Sequence, residues 1–184
     1  MTLLEGKKKV YELLDEYSSG GVVTQDADLE ARMADFFDIA QKRLSRISRI
    51  VRLARVERET GVTEYDLPAD LQELSRVYRG GKVCRGAEIR GGKLIIPESD
   101  RESWELEYYA VPAAVSAATP DAYEFELGED AAQAMPFFVA AQQLTADLVV
   151  DNTALLTLFR MMCEDLSARR ADGALRIRNA LYRG

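Results

Sequence analysis

The chain has 184 residues, 47% of them apolar and 30% charged, with 24 basic against 31 acidic side chains and a formal net charge of -7. That length and composition suit one domain, or one with a small annex, and exclude wholesale disorder, since a single core can form. There is no histidine, which excludes Ser-His and Cys-His catalytic pairs, His-ligated metal sites and imidazole general bases.

In chain order, Leu3 to Tyr17 place Val10, Leu13, Leu14 and Tyr17 at i, i+3, i+4 and i+7, the pattern of a short amphipathic helix. Ser18-Ser19-Gly20-Gly21 ends it, Val22 and Val23 suit an extended link, and Thr24 or Asp26 can cap the next helix. From Ala27 the positions Leu29, Met33, Phe36, Phe37, Ala40, Leu44 and Ile47 step by three or four, predicting the longest helix. Its end lies between Ile47 and Ala54 and stays open, because Val51-Arg52-Leu53-Ala54-Arg55-Val56 suits a strand equally well.

The stretch 57–127 changes character. Glycines and prolines punctuate short β-favourable runs, as in a set of hairpins. Leu74 to Tyr78 is one run, and Ala87–Arg90 and Lys93–Ile96 flank Gly91-Gly92, a pair that supplies the positive φ angles of a two-residue turn. Trp104, Leu106 and Tyr108 alternate with Glu105 and Glu107, and Tyr123, Phe125 and Leu127 with Glu124 and Glu126, so each predicts a strand with one buried and one wet face. After Gly128 the 3.6-residue period returns through Met135, Phe138, Val139, Gln142, Leu144 and Leu148, with Pro136 either kinking this helix or marking its first turn. Asp151 or Asn152 caps a last helix through Leu155, Leu156, Phe159, Met162, Cys163 and Leu166 to about Arg170, and 171–184 reads as an extended tail. The expected fold class is therefore α+β: an antiparallel-type bundle of about four helices (1–56 and 128–170), an inserted β-hairpin-rich module (57–127) and the C-terminal tail.

The chemistry-bearing patterns have bland explanations. Arg43, Arg46, Arg49, Arg52, Arg55 and Arg58 form a ladder of step three, which circles a helix and alternates faces on a strand, so it makes no single basic stripe. A solvated face paired with acids such as Glu57 and Glu59 is the expectation. Glu105 with Glu107, or Glu124 with Glu126, is a candidate pair to bracket a substrate as general acid and base, but alternation on a wet strand face explains both. Asp26, Asp28 and Glu30 lack the glycine and closing glutamate of a calcium loop and read as a helix N-terminus. Gly80-Gly81 and Gly91-Gly92 lack the Lys-Ser/Thr of a phosphate loop, so hairpin turns are expected. Trp104, Tyr108 and Tyr109 suit packing better than base stacking. Cys84 and Cys163 are too few for a disulfide framework or a zinc site and read as filler in a reducing compartment. No apolar run reaches the ~20 residues of a bilayer span and no signal-peptide core is visible, so synthesis in the cytoplasm is expected. No catalytic residue, cofactor or metal is assigned.

Three segments in order resemble the head-to-tail connector, or adaptor, proteins of tailed bacteriophages. They are Tyr65-Asp66-Leu67-Pro68-Ala69-Asp70-Leu71 leading into Leu74–Tyr78; Leu94-Ile95-Ile96-Pro97 leading into Trp104-Glu105-Leu106-Glu107-Tyr108-Tyr109-Ala110-Val111-Pro112; and Tyr123–Leu127 before the helix from Glu129. The resemblance runs from the first helix to about Arg170. It implies a structural virion protein at the head-tail junction, made in the host cytoplasm, with no enzymatic activity. Its implied partners are the portal protein, about twelve copies of itself in a closed ring, and a downstream neck or tail protein, with genomic DNA passing through unbound and no membrane involved. The portal contact it implies falls on Arg169, Arg170, Leu175, Arg176, Ile177, Arg178, Leu181, Tyr182 and Arg183. The alternative is a small nucleic-acid-binding helical module using the Arg43 to Arg58 stretch.

Overall fold

The computed structural model describes residues 1–14, 27–146 and 152–181, with side chains over 1–14, 28–144 and 152–169. The described chain is mixed α+β, with four helices and two antiparallel sheets. It divides into two compact units, one built from Met1–Ser48 with Pro112–Gly184 and the other from Arg49–Val111. The β-rich part thus begins earlier and ends earlier than the sequence suggests. Val51–Val56 takes the strand alternative, within β1 (Ile50–Val56), while α2 (Ala27–Leu44) stops before it.

In the helical unit, α1 (Leu3–Leu13) starts on a reciprocal cap. Thr2 Oγ1 accepts from the Glu5 backbone N–H at 3.2 Å and Glu5 Oε2 accepts from the Thr2 N–H at 2.8 Å, satisfying two donors that a helix start leaves open. Its buried side, Leu3, Gly6, Val10 and Tyr11, follows helical spacing. Gly6 is needed there, because a Cβ would stand 2.9 Å from the Phe37 ring. Helix α3 (Glu129–Ala146) packs against α1, α2 and α4 (Thr153–Leu181). It therefore buries Ala131, Ala132, Ala134, Met135, Phe138, Val139, Ala140 and Ala141 around several faces. Pro136 lies inside α3, so the first-turn alternative falls; Pro136 simply gives no N–H to the Ala132 carbonyl.

The structure corrects two expectations. Tyr123–Leu127 is not a strand: Phe125 and Leu127 are buried as the alternation requires, but the ladder is one isolated bridge, Thr2 with Glu124. Alternation reports half-burial and does not itself supply a partner strand. The backbone expected as an extended tail is helical to Leu181, since α4 continues through Asp172-Gly173, a pair that weakens a helix without ending it. The Ser18–Gly21 stop, the Val22-Val23 link, the Thr24, Asp26 and Asp151 caps, and Tyr182 and Arg183 lie outside the described residues.

In the β unit, the larger sheet runs in the order β1, β7 (Trp104–Ala110), β3 (Leu71–Arg79), β4 (Lys82–Val83), and the smaller in the order β2 (Glu64–Asp66), β6 (Lys93–Ile95), β5 (Glu88–Arg90). One core joins them: Trp104, Leu106, Tyr108 and Val77 from the larger sheet meet Tyr65, Leu94 and Ile96 from or beside the smaller. The β3–β4 and β5–β6 hairpins turn on Gly80-Gly81 (φ 55° and 74°) and Gly91-Gly92 (φ 59° and 78°), positive at both central positions as such turns require. A Cβ on Gly80 would also collide with the Glu102 carboxylate, whereas one on Gly81 meets open space. Gly80→Ala and Gly81→Ala are each expected to cost roughly 1–2 kcal/mol from the positive φ, since the Glu102 carboxylate is the free end of a side chain that can turn away; urea unfolding followed by Trp104 fluorescence measures both.

Candidate interaction surface

Strand β7 presents Trp104, Leu106, Tyr108 and Ala110 to the core and Glu105, Glu107 and Tyr109 to the other face. Antiparallel register places Val51, Leu53 and Arg55 of β1 beside Tyr109, Glu107 and Glu105, and Glu73, Arg76 and Tyr78 of β3 on their other flank. Register shifts between Leu71 and Glu73 and between Leu74 and Arg76 bulge β3 and bring Ser75 onto this face as well.

The centre of the face is polar and closed upon itself. Ser75 Oγ donates to Glu107 Oε1 at 2.8 Å, the Tyr78 hydroxyl donates to Glu107 Oε2 at 2.9 Å, and Arg76 stands 3.9 Å away. Donation by Ser75 and Tyr78, against an opposing contribution from burial and with help from Arg76, holds the Glu107 carboxyl below its ordinary value. A carboxylate so held keeps its charge, which is the opposite of what a general acid needs. Glu105 meets Arg55 at 3.9 Å, and Glu126 Oε1 accepts from the Ala113 N–H at 3.0 Å, so the carboxylates picked out by alternation serve local structure.

The β1 edge differs. Val51 is 59% and Leu53 68% exposed, side by side on the terminal strand of the sheet. Among the described residues β1 carries hydrogen bonds to β7 alone of the strands, and its other edge faces no strand. An apolar, seven-residue edge of this kind is a template for pairing.

The arginine ladder is distributed along the chain without forming a stripe. Arg43 lies over the Phe138 ring at 5.0 Å; Arg49 lies over Tyr109 at 3.9 Å and bonds Glu73 at 3.0 Å; Arg52 bonds Asp70; Arg58 donates to the Asp100 and Pro97 carbonyls. Acids do pair with the ladder, and among the described residues they include Asp70, Glu73 and Glu105, partners that strand register supplies and sequence proximity does not reveal. The ladder is also not one helix, since its later members lie on β1 and beyond. Asp28 and Glu30 occupy the first turn of α2, with Glu30 bonded to Lys7 at 3.3 Å. Trp104 and Tyr108 are buried in the core, and Tyr108 donates to Asp70 Oδ1 at 3.0 Å. Cys84 and Cys163 are free, half-buried thiols, and burial pushes that of Cys163 up.

Of the residues on which the resemblance places a portal contact, Arg169 bonds Asp130 at 2.7 Å and Asp165 at 3.5 Å, tying α4 to the start of α3. Arg170, Leu175, Arg176, Ile177, Arg178 and Leu181 lie on the α4 backbone, with side chains outside those described. α4 itself has no fully buried side chain from Thr153 to Arg169, and Leu158 and Met161 are exposed. No helix of the described residues is long and apolar enough to cross a membrane. The sequence reasoning missed the exposed pair Val51 and Leu53; the signal was available only once β1 was known to be a strand at the edge. No protein-family model matches the chain, and no curated protein is significantly similar to it.

The depressed Glu107 carboxyl has a direct consequence. Its contribution to stability is complete above the ordinary value of 4.5 and is lost as pH falls through the lower folded value. Melting temperatures between about pH 6 and pH 3 should fall less steeply for Glu107→Gln than for the wild type; parallel curves would show that Ser75 and Tyr78 do not hold the carboxylate.

Proposed function

We propose that the chain is a structural virion protein, a head-to-tail adaptor whose copies ring the DNA channel beneath the portal. In this reading the helices form a bundle from which the hairpin module is inserted. The order of the three motif-bearing segments supports it, and one structural observation carries it: α4 is longer than anything it packs on. With 29 residues against 18 in α3, α4 has 11 residues, about 16 Å of helix, that α3 cannot cover. Those residues include Leu175, Ile177 and Leu181 interleaved with Arg176 and Arg178, an apolar and cationic set suited to a second protein. Arg169, held by Asp130 and Asp165, fixes the direction in which that extension leaves α3.

The rival reading, a nucleic-acid-binding module, loses ground on the arginine ladder, because guanidinium groups engaged by Asp70, Glu73 and Glu105 have less to offer phosphates.

Deleting residues 171–184 should leave the helical circular dichroism of the rest in place and abolish co-sedimentation with portal rings, and electron microscopy of the full chain with portal should show an added annular layer. Undiminished attachment of the truncated chain would overturn the assignment. Duplex DNA affinity should be weak and nearly independent of salt; a steep log-log slope would favour the rival.

A further inference from the structure

We propose that the open edge of β1 is an interaction surface for a second copy of this chain, the two β1 strands pairing antiparallel about a two-fold axis at Leu53. The surface is the edge of the larger sheet, where Val51 and Leu53 are the exposed apolar side chains. Unpaired strand edges with an apolar face are stabilised by a further strand, and an identical strand is the partner every copy of the chain carries.

The length of the strand sets the register, and the arginine spacing permits it. β1 runs Ile50–Val56, so Leu53 is its midpoint, and pairing about Leu53 aligns the whole strand with its copy. On the outer face Leu53 then meets the second copy's Leu53, Val51 meets the stem of the second copy's Arg55, and Arg49 falls opposite the second copy's Glu57. On the other face Ile50 meets the second copy's Val56, and Arg52 meets the second copy's Ala54. No two like charges stand opposite one another. Sliding the axis by one residue to Arg52 sets Arg52 against itself and Arg49 against Arg55, and an axis at Arg55 sets Arg55 against itself and Arg52 against Arg58. Like charges directly opposite are destabilising. An axis at Ala54 avoids that clash but shortens the overlap and separates the two Leu53 side chains. The charge pattern that made no basic stripe is thus complementary to itself in one full-length register, and the product is a continuous sheet of eight strands.

This pairing goes beyond the adaptor reading and needs no portal. Sedimentation equilibrium of the full chain from about 1 to about 100 µM should show a dimer. Leu53→Lys should raise its dissociation constant at least about tenfold, as should Leu53→Glu, and mixing the two variants should restore association. Leu53 is 68% exposed, so both variants should keep the wild-type circular dichroism spectrum and should melt with the wild type at concentrations too low for the dimer. Should either fail to fold, Leu53→Cys with Cys84→Ser and Cys163→Ser decides the matter: a cross-linked dimer under mild oxidation supports the axis, and its absence overturns it. A wild type that stays monomeric over the whole range, or a dimer indifferent to Leu53→Lys, also overturns the proposal. A two-fold pair turns its copies opposite ways and is therefore a state of the free chain, distinct from a ring in which every copy faces the portal; dimerisation is read on the chain alone and attachment by co-sedimentation with portal, so each proposal can fail separately.

Discussion

The β unit depends on the alternation of β7. A strand with neighbours on both sides must commit one set of side chains to the core and the other to the opposite face, and a slip of one residue would exchange Trp104, Leu106 and Tyr108 for Glu105, Glu107 and Tyr109. Burying two carboxylates without partners costs far more than the hydrogen bonds of a ladder return, so the register is fixed by the penalty for the alternative. This register places Arg49 over Tyr109, the clasp of Ser75 and Tyr78 on Glu107, and the Tyr108 hydroxyl on Asp70. The last contact is notable because Asp70 also holds Arg52, so a residue of β1 and one of β7 share a carboxylate from the loop before β3.

The helical unit solves a different problem. Residues 112–127 have almost no regular structure, and they are held by side chains that reach them from α2 and α1. Asp38 Oδ1 accepts from the Val115 N–H at 3.0 Å, Gln41 Nε2 donates to the Ala113 carbonyl at 2.6 Å, and Lys7 bonds Asp121 at 2.8 Å. Burial pushes the Asp38 carboxyl up, and the Lys42, Val115 and Gln41 hydrogen bonds more than offset it, leaving the group below its ordinary value. Backbone groups that find no strand must find polar side chains instead, which is why buried Gln41 sits among apolar neighbours on α2.

These two solutions explain what could be read in the sequence. The hairpins at Gly80-Gly81 and Gly91-Gly92 and the faces of β7 were legible, because turn chemistry and period-two burial are local. α3 was legible as a helix although its apolar residues surround it, since no strand reading survives eighteen residues without a turn. Tyr123–Leu127 misled, because its alternation has the same local appearance as β7 while its hydrogen-bond partners are Met1 and Leu3, at the far end of the chain. The extent of α4 past Gly173 was likewise invisible, as a single glycine marks a helix end and a helix interior equally well. The interaction surface was not legible at all. Val51 and Leu53 look like core residues until β1 is known to have β7 on one side and no strand on the other.

An exposed edge is a cost that natural sheets reduce by short strands, charges or bulges. β4, β2 and β5 follow that practice, being two or three residues long. β1 is seven residues long, carries no bulge in its pairing with β7, and places its most exposed apolar side chain at its midpoint. Its protective charges among the described residues are its arginines, and their spacing of three penalises self-pairing in the registers centred on Arg52 and Arg55 while leaving the full-length one centred on Leu53 open. A pattern whose sole purpose was to prevent association would place a charge at that midpoint. The chain places leucine there, so the arginines bar some slipped registers and leave the full-length one open.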